Sequence, residues 1–467
     1  MTRVEPLEPH HPGTAILVAA AAAVGGFLFG YDTSVINGTV DALEETFNLN
    51  SVVLGFVVSS ALLGCAVGAW FAGPLADRLG RVRVMLIAAG LFIVSAIGSG
   101  LAFAAWDLTI WRIIGGLGVG AASVIAPAYI AEISPAAMRG RLGSLQQLAI
   151  VSGIFVALLV DYLLAESAGG DAAADVPWGG PAWRWMFVSA ALPAIIYGVL
   201  ALQIPESPRY LVRRGRIPEA RKVLQRVIGG DVDLKIREIQ ETLVGSQDKV
   251  QLKELRGPRF GLQAIVWVGI LLSVFQQFVG INVIFYYSSS LWASVGFSES
   301  SSLLITVITS ITNIVTTLIA IALVDKVGRK PLLLVGAAGM VITLGTMAWA
   351  FSTATLNADG DAILGDTQGK IALVAANLYV VAFGMSWGPI VWVLLGEMFN
   401  NRIRVTALAV AAAAQWLANW LISTTFPALA DIGLTFAYGL YATFAALAFF
   451  FVLKAVRETK GRELESM

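Results

Sequence analysis

The sequence predicts an all-α membrane protein whose twelve transmembrane helices form two pseudo-symmetric bundles of six. Three observations lead to this fold class. Hydrophobic residues make up 57% of the 467 residues and charged residues only 13%, whereas soluble domains contain roughly 25% charged residues. The apolar residues are gathered into runs of about 20, the length that spans a bilayer. Finally, the segment GPLADRLGR at 73–81 returns in weaker form as ALVDKVGRK at 322–330, which indicates that one membrane unit is used twice.

The predicted spans follow one another in two sets of six. They lie at roughly 14–38, 53–75, 83–105, 108–131, 142–165 and 184–204, and at roughly 261–294, 302–324, 331–352, 371–397, 404–429 and 432–456. The segment 205–259 between the sets reads as several short amphipathic helices, for example 218–227 and 232–243. We therefore predict an N-terminal bundle (1–204), a helical linker (205–259), a C-terminal bundle (260–456) and a tail (457–467). The linker either only joins the halves or acts as a latch whose ion pairs hold one conformation.

The charges predict the orientation of the chain. Of the 31 Lys and Arg residues, all but Arg112, Arg184 and Lys370 fall in the tails or in alternate loops, and the opposite loops carry acids. The positive-inside rule then places both termini and the linker in the cytoplasm. The single cysteine, Cys65, lies in an apolar run, so neither a disulfide nor a thiol metal site is expected. We predict no cofactor, no metal and no nucleic-acid partner, and the sequence contains no nucleophile–base pair or phosphate-cradling loop that would indicate an enzyme.

Repeated charges at the ends of spans are candidates for gating. PAYIAEISPAAMRGR (127–141) resembles IVWVLLGEMFNNRIR (390–404). In each copy an acidic residue stands at the end of an apolar run, and arginines follow it. Ion pairs there, within or between the halves, can bias two conformations that differ by a few kcal/mol. The alternative for any single arginine is that it only sets the orientation of the chain in the membrane and takes no part in gating. The candidate gating residues are Asp77, Arg81, Glu132, Arg139, Asp325, Arg329, Glu397 and Arg404.

Two ionisable side chains lie inside predicted spans, where such groups are costly and usually functional. Asp32 lies shortly before the outer end of the first span and Arg112 shortly after the outer start of the fourth, so the two sit at similar depth and can pair. Burial favours the neutral acid at Asp32, and a nearby guanidinium favours the carboxylate. A motion that separates the two would therefore make Asp32 take up a proton. A permanent pair that only holds helices together is the alternative.

Amide side chains in the spans predict a site for hydroxyl groups. Gln276, Gln277 and Asn282 lie in one apolar helix that Gly280 loosens. Further amides occur at Gln147, Asn313 and Gln415, and Trp392 and Trp416 add flat apolar surfaces. Amides both donate and accept hydrogen bonds, as sugar hydroxyls do, and no charged side chain joins the cluster. The pattern favours a neutral, polyhydroxylated ligand over interhelical hydrogen bonding alone.

These residues resemble those of a known family over nearly the whole chain. The segments GYDTSVING (30–38), RIIGGLGVG (112–120), PESPRYLV (205–212), QQFVGINVIFYYS (276–288), VDKVGRK (324–330) and SWGPIVWVLLGEMF (386–399) are similar to those of sugar porters of the major facilitator superfamily. The resemblance implies the major facilitator fold. It also implies sugar contacts from Gln147, Gln276, Gln277, Asn282, Asn313, Trp392 and Gln415, with Phe29 and Trp416 as apolar walls.

The resemblance also implies an activity. Asp32 with Arg112 resembles the proton-coupled branch of the family, which includes bacterial symporters for xylose and glucose. Ile154 and Phe285 look more like the glucose-transporting members, since the xylose symporter has Gln and Leu there. We therefore expect a proton-coupled symporter that imports a monosaccharide, D-glucose in preference, by alternating access. A D-xylose symporter and an uncoupled sugar facilitator are the alternatives. The expected setting is the bacterial cytoplasmic membrane, with the protein acting as a monomer.

Overall fold

The computed structural model describes residues 12–134, 139–227, 229, 231–245, 255–258, 260–356, 362–399 and 403–459. Twelve helical spans in this part of the chain are long and apolar enough to cross a membrane. They lie at Gly13–Phe47, Ser51–Leu79, Arg81–Gly100, Ala105–Ile133, Leu145–Ser167, Ala182–Gln203, Ala264–Ala293, Glu299–Ala320, Arg329–Ser352, Asp366–Leu395, Ala407–Ile432 and Leu434–Ala455. The predicted number and order of spans are confirmed.

Several spans consist of more than one helix. In chain order the helices are α1 Pro12–Ser34, α2 Val40–Phe47, α3 Ser51–Leu79, α4 Arg81–Gly100, α5 Ala105–Ile133, α6 Arg139–Ser167, α7 Ala182–Ser189, α8 Ala191–Gln203, α9 Pro208–Arg213, α10 Ile217–Val227, α11 Val232–Gly245, α12 Ala264–Phe278, α13 Ile281–Ala293, α14 Glu299–Val327, α15 Arg329–Ser352, α16 Asp366–Gly384, α17 Trp387–Met398, α18 Arg404–Ile432 and α19 Leu434–Ala455. A 3₁₀ turn, Asn37–Thr39, joins α1 to α2. The strands Thr355–Leu356 and Ala362–Ile363 form one short antiparallel pair.

The break in the seventh span lies at Gly280, as the sequence predicts. Gly280 has φ +85°, in the left-handed region, and stands between α12 and α13. A Cβ atom at this position would lie 2.8 Å from Cδ2 of Tyr441, so both the backbone conformation and the close packing require glycine. Broken helices free backbone polar groups, which membrane proteins tolerate where protein atoms satisfy them or where they line a cavity.

Corresponding helices of the two halves make corresponding contacts. In the first half, α4 packs against α5 and α8; in the second half, α15 packs against α16 and α19. The third span therefore contacts the fourth and sixth, and the ninth contacts the tenth and twelfth. This agreement supports the repeat that the sequence predicts.

The described residues group into two compact units. Unit 1 comprises the ranges Met1–Thr33, Gly64–Ile154 and Phe187–Lys249. Unit 2 comprises Ser34–Leu63, Phe155–Met186 and Val250–Met467. Unit 2 thus contains the second six spans together with parts of the first, second, fifth and sixth. The predicted domain boundaries at 204, 259 and 456 stay predictions.

The linker contains the amphipathic helices that the sequence predicts. The helices α10 and α11 match the predicted segments 218–227 and 232–243 to within two residues. Together with α9 they surround a small apolar core, which includes Leu211, Leu224 and Ile236. All of this core belongs to unit 1.

Candidate functional site

Four of the predicted amides form one hydrogen-bonded chain in unit 2. Asn282 donates to Oε1 of Gln277 over 2.5 Å, Gln277 donates to Oε1 of Gln276 over 3.4 Å, and Gln415 donates to the same Oε1 atom. The break between α12 and α13 brings Asn282 back towards Gln277, while α18 supplies Gln415. We call these four residues the amide chain.

The amide chain is hydrogen-bonded to the backbone at the break between α16 and α17, and it contains one acceptor that has no donor among the described residues. Nε2 of Gln276 donates to the carbonyl oxygen of Trp387 over 2.8 Å and to that of Gly388 over 3.1 Å, at the start of α17. Oε1 of Gln415 is buried and accepts no hydrogen bond from the described residues. Because a buried acceptor without a donor costs free energy, this oxygen is suited to accept a hydrogen bond from a ligand.

The remaining candidates of the second half also lie in unit 2. In α14, Asn313 approaches Gly384, the last residue of α16. Trp392 in α17 is 46% exposed, whereas Phe285 in α13 is 4% exposed. Trp416 follows Gln415 in α18 and is partly buried.

Three candidates belong to unit 1. Gln147 and Ile154 lie on α6 and Phe29 lies on α1, and all three are partly buried. The two helices meet closely beside them, because a Cβ atom on Gly30 would lie 1.9 Å from the carbonyl oxygen of Ile150. The sugar-contact and wall roles of these residues, like those of the candidates in unit 2, stay predictions.

The structure brings Asp32 and Arg112 together inside unit 1. Nη1 of Arg112 lies 3.6 Å from Oδ1 of Asp32, and the two side chains are 2% and 6% exposed, respectively. The same Nη1 donates to the backbone oxygen of Asp32 over 3.1 Å. The guanidinium also lies over the ring of Phe187, 5.7 Å from its centroid. Oδ2 of Asp32 and Nε of Arg112 have no hydrogen-bond partner among the described residues, so this buried pair is long and incompletely satisfied.

An ion-pair cluster in unit 1, which we call the first Arg–Glu cluster, contains three of the gating candidates. Arg81 binds Glu132 through two parallel bonds, from Nη2 over 2.7 Å and from Nε over 2.9 Å. It also pairs with Asp77 over 3.2 Å. Two residues that the sequence analysis did not select complete the cluster: Glu206 accepts from the backbone N–H of Arg81 over 2.9 Å, and Ser207 donates to Glu132 over 2.5 Å.

The second Arg–Glu cluster, in unit 2, repeats this arrangement. Arg329 binds Glu397 from Nη2 over 2.7 Å and from Nε over 3.1 Å. Glu458 accepts from the backbone N–H of Arg329 over 3.1 Å, and Thr459 donates to Glu397 over 2.5 Å. In both clusters a carboxylate lies at the N-terminus of a helix, where the helix dipole favours it. Each cluster therefore lies within one half of the chain.

Three gating candidates cannot be placed in these clusters. The side chains of Arg139, Asp325 and Arg404 lie outside the described residues. The signal that could have revealed Glu206 and Glu458 is a third repeat: the acid–hydroxyl pairs Glu206-Ser207 and Glu458-Thr459 follow the last span of each half.

A further set of contacts, at the acid-rich ends of the helices in unit 2, joins first-half segments to second-half helices. We call them the acidic-end contacts. Nδ2 of Asn37 donates to the carbonyl oxygen of Phe285 over 2.9 Å and to Oγ of Ser288 over 3.2 Å. Asn37 accepts from N–H and Oγ of Ser289 over 3.2 and 2.6 Å. Further bonds join Asp41 to Ser290, Glu166 to Ser300, Ala172 to Glu299, Ser51 to Asp431 and Ser59 to Thr424.

Twelve apolar spans in two repeated halves, with broken helices beside an amide chain, define a multi-pass membrane transporter of the major facilitator fold. The sequence matches the family described as sugar (and other) transporter over residues 18–467. It is 60% identical over 455 residues to the glucose transport protein of Synechocystis, with 97% of this chain and 96% of that protein covered. It is 40% identical over 485 residues to the D-xylose-proton symporter of Escherichia coli, with 96% and 94% covered.

A solved structure agrees with this fold. The inward-open conformation of the xylose transporter XylE from Escherichia coli superposes with a TM-score of 0.81 at 38% identity, and 96% of this chain and 98% of that chain are covered. The protein therefore belongs to the sugar transporter family.

Proposed function

We propose that this protein imports D-glucose together with a proton, by alternating access, across the bacterial cytoplasmic membrane with both termini inside. The observation that carries the proposal is the Asp32–Arg112 pair in unit 1. Its two side chains are buried, its closest N···O distance between side chains is 3.6 Å, and Oδ2 of the acid has no partner among the described residues. A structural ion pair in such a place is expected to be short and fully hydrogen-bonded, whereas a long pair is suited to exchange a proton.

The coupling follows from the two charge states of Asp32. When Arg112 is near, its positive charge stabilises the carboxylate of Asp32. When the distance between the two side chains grows, a carboxylate without a partner costs free energy, and Asp32 binds a proton. We propose that the protonated form binds sugar from outside, and that re-approach of Arg112 releases the proton inside. One charge moving through 100 mV gains about 2.3 kcal/mol, which supports roughly fiftyfold accumulation.

The amide chain supports a neutral, hydroxyl-rich substrate. Its side chains offer hydrogen-bond donors and acceptors but carry no charge. The buried Oε1 atom of Gln415 has no donor among the described residues. Trp392, 46% exposed, offers the flat apolar surface that the C–H face of a pyranose favours.

Two observations favour glucose over xylose. The relative that shares 60% identity is named a glucose transport protein, while the D-xylose-proton symporter shares 40%. Ile154 on α6 and Phe285 on α13 are both apolar and add no further amide. We propose that an apolar side chain at each of these positions favours the hydroxymethyl group that glucose has and xylose lacks.

The proposal is tested by measuring the external pH of lightly buffered, energy-depleted cells when glucose, and then xylose, is added. The wild-type protein is expected to produce alkalinisation with glucose. Asp32→Asn should abolish it while sugar exchange persists. Asp107→Asn should retain it, because it changes another acid of unit 1, whose hydrogen bonds among the described residues are to Trp111 and Phe103. Glucose entry without alkalinisation would instead indicate a facilitator. Alkalinisation that persists in Asp32→Asn would remove Asp32 from the coupling step.

A further inference from the structure

Asp32, Arg112 and Ser99 each contain a buried polar atom that has no hydrogen-bond partner among the described residues. These atoms are Oδ2 of the acid, Nε of the guanidinium and Oγ of the serine, and all three residues belong to unit 1. The residues are 4%, 2% and 1% exposed, respectively. Buried polar groups in proteins are nearly always paired, either with protein atoms or with ordered water, so each of these atoms requires a partner.

The packing of α4 on α5 places Ser99 at the level of Arg112. Ser95 lies one turn before Ser99 on the same face of α4. A Cβ atom on Gly115 of α5 would clash with Oγ of Ser95 and would lie 3.6 Å from Oδ1 of Asp32. Because successive spans cross a membrane in opposite directions, the turn from Ser95 forward to Ser99 runs beside the turn from Gly115 back to Arg112.

The hydroxyl group of Ser99 differs in its bonding from those of other buried serines. Ser95, Ser60 and Ser310 each donate to a backbone oxygen, over 2.7, 2.7 and 2.6 Å, whereas Oγ of Ser99 bonds to none of the described residues. Ser99 is also the last residue but one of α4, and Leu101, just beyond the helix, is 70% exposed. Ser99 therefore stands between the ion pair and the nearby end of α4.

One water molecule matches the bonding capacity of the three atoms. Oδ2 of Asp32 accepts hydrogen bonds, Nε–H of Arg112 donates one, and the hydroxyl group of Ser99 can do both. A water that donates to Oδ2, accepts from Nε–H and bonds to Oγ makes three hydrogen bonds, the usual number for a buried water. A metal cation would be repelled by the guanidinium and an anion by the carboxylate.

The other groups close to the pair do not take this place. Phe187 of α7 offers its ring to the guanidinium, 5.7 Å from the ring centroid. Cys65 of α3 interacts electrostatically with both Asp32 and Arg112 and is fully buried. A thiol in such surroundings is neutral and only a weak hydrogen-bond donor.

We propose that a water molecule bound between Asp32, Arg112 and Ser99 passes protons to Asp32 from the end of α4 that the proposed orientation places outside. The inference rests on the proposed proton coupling. In each transfer the bound water gives one proton to Oδ2 of Asp32 and receives one from the hydroxyl group of Ser99. That oxygen in turn receives a proton from the water outside, so every O–H bond that breaks is replaced. Ser99 is a positioning residue for this water and does not contact the sugar.

The rate of alkalinisation tests the role of Ser99. In the cell assay, at an alkaline external pH where proton supply limits the rate, Ser99→Ala is expected to slow the initial alkalinisation with glucose about tenfold, because the water loses one of its hydrogen bonds. Exchange of labelled for unlabelled glucose at equal pH on both sides should keep its wild-type rate, because Asp32 need not gain or lose a proton. A purely structural role of Ser99 would slow both processes and would contradict the proposal.

Two variants of the same helix face serve as controls. Ser95→Ala removes a hydroxyl group that already donates to the backbone of Trp111, and it should alkalinise at about the wild-type rate. Ser99→Thr keeps a hydroxyl group and should restore the rate that Ser99→Ala loses. Equal rates in Ser99→Ala and Ser95→Ala would overturn the proposal. If the wild type itself gives no alkalinisation, the coupling proposal fails, and the presence of the water is still decided by crystallography.

A crystal structure at a resolution that shows ordered water tests the binding of the water itself. In the wild type and in Ser95→Ala, one water is expected within hydrogen-bond distance of Oδ2 of Asp32, Nε of Arg112 and Oγ of Ser99. In Ser99→Ala that water should be missing or weakly occupied. Direct hydrogen bonds among the three side chains, with no water between them, would refute the proposed site.

Discussion

Removing the side chain of Asn37 should open the acidic end of unit 2. The side-chain amide makes three hydrogen bonds to α13, with donor–acceptor distances of 2.9, 3.2 and 3.2 Å. At about 1 kcal/mol for each bond, Asn37→Ala loses about 3 kcal/mol of closure energy. Since 1.4 kcal/mol is a factor of ten, the ratio of open to closed molecules should rise by about a hundredfold.

Cysteine labelling measures this ratio. The one native cysteine, Cys65, is fully buried and can be replaced by serine, and Val40, which is 1% exposed on the turn side of α2, can be replaced by cysteine. The rate at which a maleimide labels Cys at position 40 then reports how often the segment leaves α13. Asn50→Ala is the matched control, because its amide caps α3 at Val53 and makes no bond to α13. Equal labelling rates in Asn37→Ala and Asn50→Ala would refute the reasoning.

Three further predictions concern other parts of the molecule. Glu458→Ala removes the carboxylate that accepts from the backbone of Arg329 at the start of α15, and should destabilise the protein by about 1 kcal/mol, measured as a lower midpoint of thermal unfolding. Gly280→Ala puts a Cβ atom 2.8 Å from Tyr441 at a φ of +85° and should cost at least about 1–2 kcal/mol, and an unchanged unfolding midpoint would contradict it. Gln277→Ala should weaken sugar binding about tenfold in an equilibrium binding assay, and unchanged affinity would exclude a sugar contact.

The sequence was sufficient to predict the spans and the proximity of several polar side chains within them. Apolar runs long enough for a bilayer have few alternatives to a helix, because every backbone group must be satisfied internally. The pairing of Asp32 with Arg112 was predicted from their positions near the outer ends of the predicted spans 14–38 and 108–131, and Nη1 of Arg112 lies 3.6 Å from Oδ1 of Asp32. The proximity of Gln276, Gln277 and Asn282 followed from their spacing around the break at Gly280.

Other parts of the site could not be predicted, for identifiable reasons. Glu206 and Glu458 lie in polar segments after a span, where an exposed acid is the usual outcome, and their backbone partners are more than 120 residues away in sequence.

The contacts at the two ends of the helices differ in kind, and this difference bears on alternating access. The Arg–Glu clusters consist of charged pairs that stay within one half of the chain. In the first cluster, Arg81 and Glu132 are 11% and 14% exposed and are joined by two parallel bonds, so they are better shielded from solvent than the exposed pairs that contribute roughly 0–1 kcal/mol. The acidic-end contacts instead join first-half segments to second-half helices, mostly through hydroxyl and amide groups. Each of those bonds contributes about 1 kcal/mol, so a few of them give a closure energy that a proton or a bound sugar can outweigh. We infer that the clusters preserve the shape of each half while the weaker, more numerous bonds open and close.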